Sequence, residues 1–162
     1  MAEILDKITV FFITAILLFV APVFLIANRL DQTSQSYIDK AVTKFVDGVR
    51  VTGIISVDEY EALSETLDLI QPCCNIKIIV SRKEVIPKEE GEVFAYYKDT
   101  YTNELLEYMY SDNRNNIYLS AGDYIQMSVT TTKPTIAQRI IGSDFFTPLH
   151  ISYGGYVGNN PY

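Results

Sequence analysis

The sequence predicts an α+β fold. Its long N-terminal helix is transmembrane over the first half and packs on a small, mostly antiparallel three-stranded sheet with additional helices. Three observations lead there: an uncharged apolar run over 8–27, an amphipathic continuation to about residue 50, and three alternating apolar segments that lack βαβ spacing. The chain has 162 residues, enough for one folded unit and an appendage. Charged residues at 20% and hydrophobic ones at 48% are too apolar a mixture for a disordered chain. The net charge of −7 has the wrong sign for a general nucleic-acid footprint, so no nucleic-acid partner is expected.

Ile8 to Ala27 reads ITVFFITAILLFVAPVFLIA, twenty residues interrupted only by Thr9, Thr14 and Pro22. At about 1.5 Å per residue, such a helix covers roughly the 30 Å hydrocarbon core of a bilayer. Ile8, Phe11, Phe12, Leu17, Leu18 and Phe24 are the anchor's lipid-seeking side chains, and Pro22 is expected to add a modest kink. A cleaved signal peptide competes with this reading. It calls for a basic start, a shorter apolar core and a small-x-small site, whereas Glu3 and Asp6 oppose Lys7 and Leu25 occupies the position that wants a small residue. A retained anchor is therefore expected. Residues 1–28 form the anchor with a short cytoplasmic stub, and 29–162 form an extracytoplasmic α+β domain. Basic residues flank both ends of the span, so the orientation rests on the shortness of the stub. The domain after Asn28 has a net charge of −6 and is not drawn electrostatically to an anionic membrane surface.

Nothing between Leu30 and Ser36 stops a helix, and Ile38, Ala41, Val42, Phe45 and Val49 continue it as an apolar stripe that ends at Gly53. Ser56 and Glu59 form a capping-box pattern for a second helix, with Tyr60, Leu63, Leu67 and Ile70 inward and Pro72 closing it. Asn75 to Arg82 alternates as a strand, and a charged loop is expected over Lys83 to Glu92. In the tyrosine-rich stretch from Phe94 to Tyr110, Tyr97, Tyr101, Leu105 and Tyr108 lie near one helical face. Turns follow at Asp112–Asn116 and at Ala121-Gly122-Asp123. Tyr124 to Thr131 is the cleanest strand, with Ile125, Met127 and Val129 inward. A short helix starts with Pro134 in its first turn and stops at Gly142, and Leu149 to Val157 is the last strand.

The residues offer little chemistry. His150 is the only imidazole and falls on the polar side of a strand, with no partner that would make it a catalytic base. No phosphate-binding loop, dinucleotide fingerprint or zinc motif occurs. No catalytic residue, metal site, cofactor or small-molecule substrate is expected. Adjacent Cys73 and Cys74 sit closer at Cα than a relaxed disulfide allows and read as reduced thiols, with a vicinal or intermolecular disulfide as the alternative. Glu84, Glu89, Glu90 and Glu92 lack the spacing of a calcium loop and read as a solvated segment. The twelve tyrosines suit either a small core or a partner surface, for which Tyr96, Tyr97, Tyr101, Tyr108, Tyr153 and Tyr156 are the candidates.

Several segments taken in order carry a resemblance. They are Asp6-Lys7-Ile8-Thr9-Val10-Phe11, Phe45-Val46-Asp47-Gly48-Val49-Arg50 with Gly53, Val57-Asp58-Glu59-Tyr60, Tyr118-Leu119-Ser120-Ala121-Gly122-Asp123-Tyr124 and Ile151-Ser152-Tyr153-Gly154-Gly155. The chain resembles the small TadE-like, pseudopilin-like membrane proteins of Gram-positive, clostridial-type Tad pilus or secretion clusters. The resemblance implies a pilin-like, non-enzymatic structural component of a type IV pilus-like assembly. Such a protein is a minor pseudopilin or an assembly protein, held in the bilayer and associated with itself or with pilin-like subunits. It also implies that Glu3, Asp6 and Lys7 form an assembly contact, since an acid near the bilayer favours a neighbour's amine. The alternative is a monomeric, membrane-tethered extracellular binding module that uses the tyrosine-rich face.

Overall fold

The computed structural model describes residues 2–70, 74–87, 93–111, 115–141 and 148–158. They fall into two compact units, Met1–Gln35 with Pro134–Thr147, and Ser36–Lys133 with Pro148–Tyr162. Helix α1 (Ala2–Thr52) contributes its first part to the former and its last part to the latter. The predicted long helix of about 3–50 is thus present at nearly its expected length.

The larger unit has one core. Along α1, Ile38, Val42, Phe45, Val46 and Val49 are buried with Ala41 beside them, the one-sided stripe that a 3.6-residue period requires. Gly53 ends the helix at φ 69°, a left-handed conformation in which its N–H donates to the Val49 carbonyl at 2.7 Å. The Gly53 carbonyl in turn accepts the Leu119 N–H at 2.7 Å. This contact seats a two-stranded antiparallel ribbon of β1 (Ile54–Ile55) and β4 (Ile117–Tyr118). Helix α2 (Val57–Ile70) buries Val57, Tyr60, Leu63 and Leu67, and Ile70 packs at the edge of the core.

The main sheet has four antiparallel strands, not three. In the order β3-β2-β5-β6 these are β3 (Val93–Tyr101), β2 (Cys74–Pro87), β5 (Tyr124–Thr131) and β6 (His150–Tyr156). Two corrections account for the extra strand. The charged segment from Lys83 to Pro87 is strand, because β2 runs past the core as one arm of a hairpin. The first half of the tyrosine-rich stretch is its other arm, paired from Ile79↔Tyr101 to Pro87↔Val93. Only Thr102–Met109 is helical (α3), and it buries Leu105 and Met109. A spacing of four residues, as between Tyr97 and Tyr101, fits a strand face as well as a helix face, so the periodicity there did not discriminate. Thr102 marks the changeover. Its hydroxyl accepts the Ile78 N–H at 2.7 Å and donates to the Ile78 carbonyl at 3.1 Å, doing in side-chain form what the strand ladder did before it.

One face of this sheet joins the core through Ile78, Val80, Ile125, Met127 and Val129, as the alternation predicts. The turn before β5 has Gly122 at φ 93°, the conformation a type II turn needs at its third position, and closes through Asp123 N–H to the Ser120 carbonyl at 3.0 Å.

In the smaller unit, α4 (Ile136–Ile141) begins after Pro134 rather than on it. Thr135 and Gln138 form a reciprocal capping box. The Gln138 N–H donates to Thr135 Oγ1 at 3.3 Å, and the Thr135 N–H donates to Gln138 Oε1 at 3.0 Å. That pattern sits in the sequence as Thr-x-x-Gln and defines the helix start better than the proline does. Cys73, Pro72, Glu89, Glu90, Glu92, Asp112 and Gly142 lie outside the described residues.

Candidate functional site

Three surfaces are candidates, and the first is the apolar half of α1. Phe11 and Phe19 are 70% and 72% exposed, and Ile8, Phe12, Leu17 and Leu18 are exposed at half or more. Phe24 is half-buried and Pro22 is exposed inside an unbroken helix. Side chains exposed on all sides of one helix need an apolar medium around it. The segment is long and apolar enough to cross a membrane, and a signal sequence has the same properties. Asp6 and Lys7 are exposed at its start. Glu3 lies in α1, and its side chain is outside the described residues.

The second surface is the face of the main sheet that points away from the core. Strand parity puts Tyr97 and Tyr101 of β3, Tyr124 of β5 and Tyr156 of β6 on this face, with Ile79 and Ser81 of β2 between them. Tyr124 and Tyr156 meet edge to face with ring centres 5.0 Å apart. Tyr97, Tyr101 and Tyr156 are each more than half exposed. His150 lies on the same face, exposed, with Nδ1 3.0 Å from the Thr130 hydroxyl.

The remaining tyrosine candidates are elsewhere. Tyr108 is exposed on α3. Tyr96 has the opposite strand parity and donates its hydroxyl to the Glu84 carboxylate, a bond that holds its pKa above the ordinary tyrosine value. Tyr153 packs against the core and donates to Asp47 Oδ1 at 3.1 Å. Asp47 also receives Arg50 Nη1 at 2.7 Å, and Arg50 Nε reaches the Tyr156 carbonyl at 3.1 Å. This arrangement fastens the end of α1 to β6. Position in sequence did not reveal Tyr124, because its strand reads as core on one parity and polar on the other.

The third surface is an open groove of about 520 Å³ between α1 and α2 within the larger unit. Phe45, Leu63 and Ile70 give it an apolar floor, and Lys40 and Lys44 stand on its α1 rim. Nothing in the linear sequence pairs these two helix flanks. Among the described residues, no group of three or more His, Cys, Asp or Glu side chains is placed to hold a metal ion.

The chain matches no protein-family model, no curated protein and no solved structure. Among the described residues, the three surfaces offer apolar and aromatic area.

Proposed function

We propose that this protein is a membrane-anchored, non-enzymatic structural component of a pilus-like envelope assembly, a minor pseudopilin or an assembly protein with its α+β head outside the membrane. One observation carries the reading: a single helix, α1, is apolar on every side over 8–27 and one-sidedly apolar over 38–49. The first half needs lipid or other apolar helices, and the second half is built into the core of the head. The ordered resemblance to TadE-like and pseudopilin-like proteins supports the same reading, with Glu3, Asp6 and Lys7 as the assembly contact at the helix start.

Crosslinking in native membranes tests it. Single cysteines are placed along Thr9–Phe24 in a background free of Cys73 and Cys74, and the partners are identified by mass spectrometry. Crosslinks to itself or to pilin-like proteins, recurring with helical period, are the expected result. A helix that captures only lipid would overturn it in favour of a tethered binding module. The outward tyrosines Tyr97, Tyr101, Tyr124 and Tyr156 are the observation that favours this second reading.

A further inference from the structure

We infer that the groove between α1 and α2 receives the acidic outer ridge of α2 from a second copy of this chain. The ridge residues are Glu65, Asp68 and Leu69. This rests on the assembly reading above and names a contact between heads, separate from the apolar helix.

The groove is kept open by small residues. Gly48 lies in the interior of α1, where a glycine costs about 1 kcal/mol relative to alanine. A β-carbon at Gly48 would meet no atom within 4 Å, so packing inside the protein does not demand the glycine. Its effect is to leave the end of the groove unfilled, and Ala62 does the same on the α2 wall. The floor of Phe45, Leu63 and Ile70 then stays accessible.

Charge selects the occupant. Lys40 and Lys44 are exposed on the rim one helical turn apart, against the single acid Glu59 on the opposite wall. Helix α2 carries five acids and no basic residue. Its Glu65 and Asp68 are exposed and also one turn apart, so two carboxylates match two ammonium groups at the same spacing of roughly 5–6 Å. Beside them Leu69 is 87% exposed, more than any other large apolar side chain described. A leucine flanked by acids is the complement of an apolar floor flanked by lysines.

Glu65, Asp68 and Leu69 do not line the groove of their own chain. The two patches are different surfaces. If each copy seats its ridge in the other's groove the contact closes as a two-fold pair, and if it repeats in one direction it yields a ring or an open filament.

The test uses the full-length chain in membranes, lacking Cys73 and Cys74, as two differently tagged populations carrying Lys44→Cys and Leu69→Cys. Oxidation is expected to join one tag to the other, with a yield that falls as salt rises. Lys40→Glu in the Lys44→Cys copy is expected to lower that yield about tenfold, and Asp68→Lys in the Leu69→Cys copy to restore it. No crosslink between the tags with this pair and with Ala41→Cys and Glu61→Cys, which keep Lys44 and Leu69, or a yield indifferent to Lys40→Glu and to salt, would overturn the inference. Membrane-helix crosslinks scored in parallel samples, which carry the single cysteines along Thr9–Phe24 instead, separate the two proposals. If they persist while the head crosslink is absent, this contact fails and the assembly reading stands. If they are absent while the head crosslink forms, the contact stands and the anchor is not the assembling element.

Discussion

The guanidinium of Arg50 lies over the backbone of Gly155, where a β-carbon would sit 2.6 Å from Cζ. Its neighbour Gly154 is covered on the opposite face of β6, where a β-carbon would come 2.7 Å from the Ile125 carbonyl oxygen and 2.8 Å from the Tyr124 hydroxyl. The pair of glycines thus lets α1 close on one side of the strand and an aromatic side chain on the other. Beyond it, the Arg50 carbonyl accepts the Gly158 N–H at 3.0 Å, extending the seam past the strand.

Substitution of these glycines should separate the two faces. Gly154→Ala meets rigid backbone and is expected to destabilise the head by about 2 kcal/mol. Gly155→Ala meets a side chain and should cost about 1 kcal/mol, most of which disappears in an Arg50→Ala background. Denaturant melts of the four proteins in the Arg50/Gly155 cycle check this, and purely additive effects would contradict it.

Asp123 is 5% exposed, and its carboxylate is occupied by backbone donors. Lys83 N–H reaches Oδ1 at 3.0 Å and Ser120 N–H reaches Oδ2 at 2.9 Å. Its own carbonyl accepts the Val157 N–H at 2.8 Å. Asp123→Ala strands two donors and is expected to cost about 3 kcal/mol. Asp123→Asn keeps one acceptor but turns an amide toward a donor, so it should also be destabilised. Thermal unfolding measures both, and amide exchange at Lys83 and Ser120 should accelerate first.

Two phenols make the head sensitive to alkali. Burial, and next the nearby Tyr110, push the Tyr60 hydroxyl above the ordinary tyrosine value, and the bond to Glu84 does the same for Tyr96. A raised folded-state pKa means that folding favours the neutral phenol. The contribution is therefore complete below the unfolded value of about 10 and is lost as pH climbs through the folded one. Stability is expected to decline above about pH 10, with a shallower decline in Tyr60→Phe and Tyr96→Phe. Absorbance titration of the folded protein should show Tyr60 and Tyr96 ionising above the ordinary tyrosine value.

Membrane retention should withstand one charge and fail with two. The fourteen Leu, Ile, Phe and Val residues of 8–27 favour insertion by about 6 kcal/mol together, and an arginine at mid-span costs about 3 kcal/mol. Leu17→Arg is expected to remain in the membrane pellet after alkaline extraction, whereas Leu17→Arg with Val20→Arg should be released. Release by the single change would mean that the span is held less firmly than its composition implies.

The legible parts of this fold are those whose hydrophobic period admits one answer. The α1 stripe, the inward face of α2 and the alternation of β5 are local patterns, and each buries the residues expected of it, Ala41 and Ile70 only in part. Strand β3 was not legible, because Tyr97 and Tyr101 are spaced for either element and what decides between them is a ladder with β2, residues away in sequence. The charged part of β2 was hidden for the same reason: Lys83 and Glu84 pair with Tyr97 and Tyr96 across the hairpin, partners that their own segment does not announce. Of the candidate surfaces, the apolar half of α1 was fully readable. The tyrosine face was readable only in part, since strand parity divides Tyr97 from Tyr96 and Tyr156 from Tyr153.

Sequence alone therefore settles the properties that belong to one stretch of chain: an uncharged helix long enough to span a bilayer, its one-sided continuation, and an acidic head. Tertiary structure decides the properties that need two stretches at once. Among them are the fourth strand, the groove between α1 and α2, the Arg50 contact with Gly155 and the backbone donors that fill Asp123. The physical reason is the range of the interactions. Helix periodicity and bilayer transfer act within a few turns of one segment, whereas strand pairing and buried-carboxylate solvation draw on groups whose proximity exists only once the chain has folded.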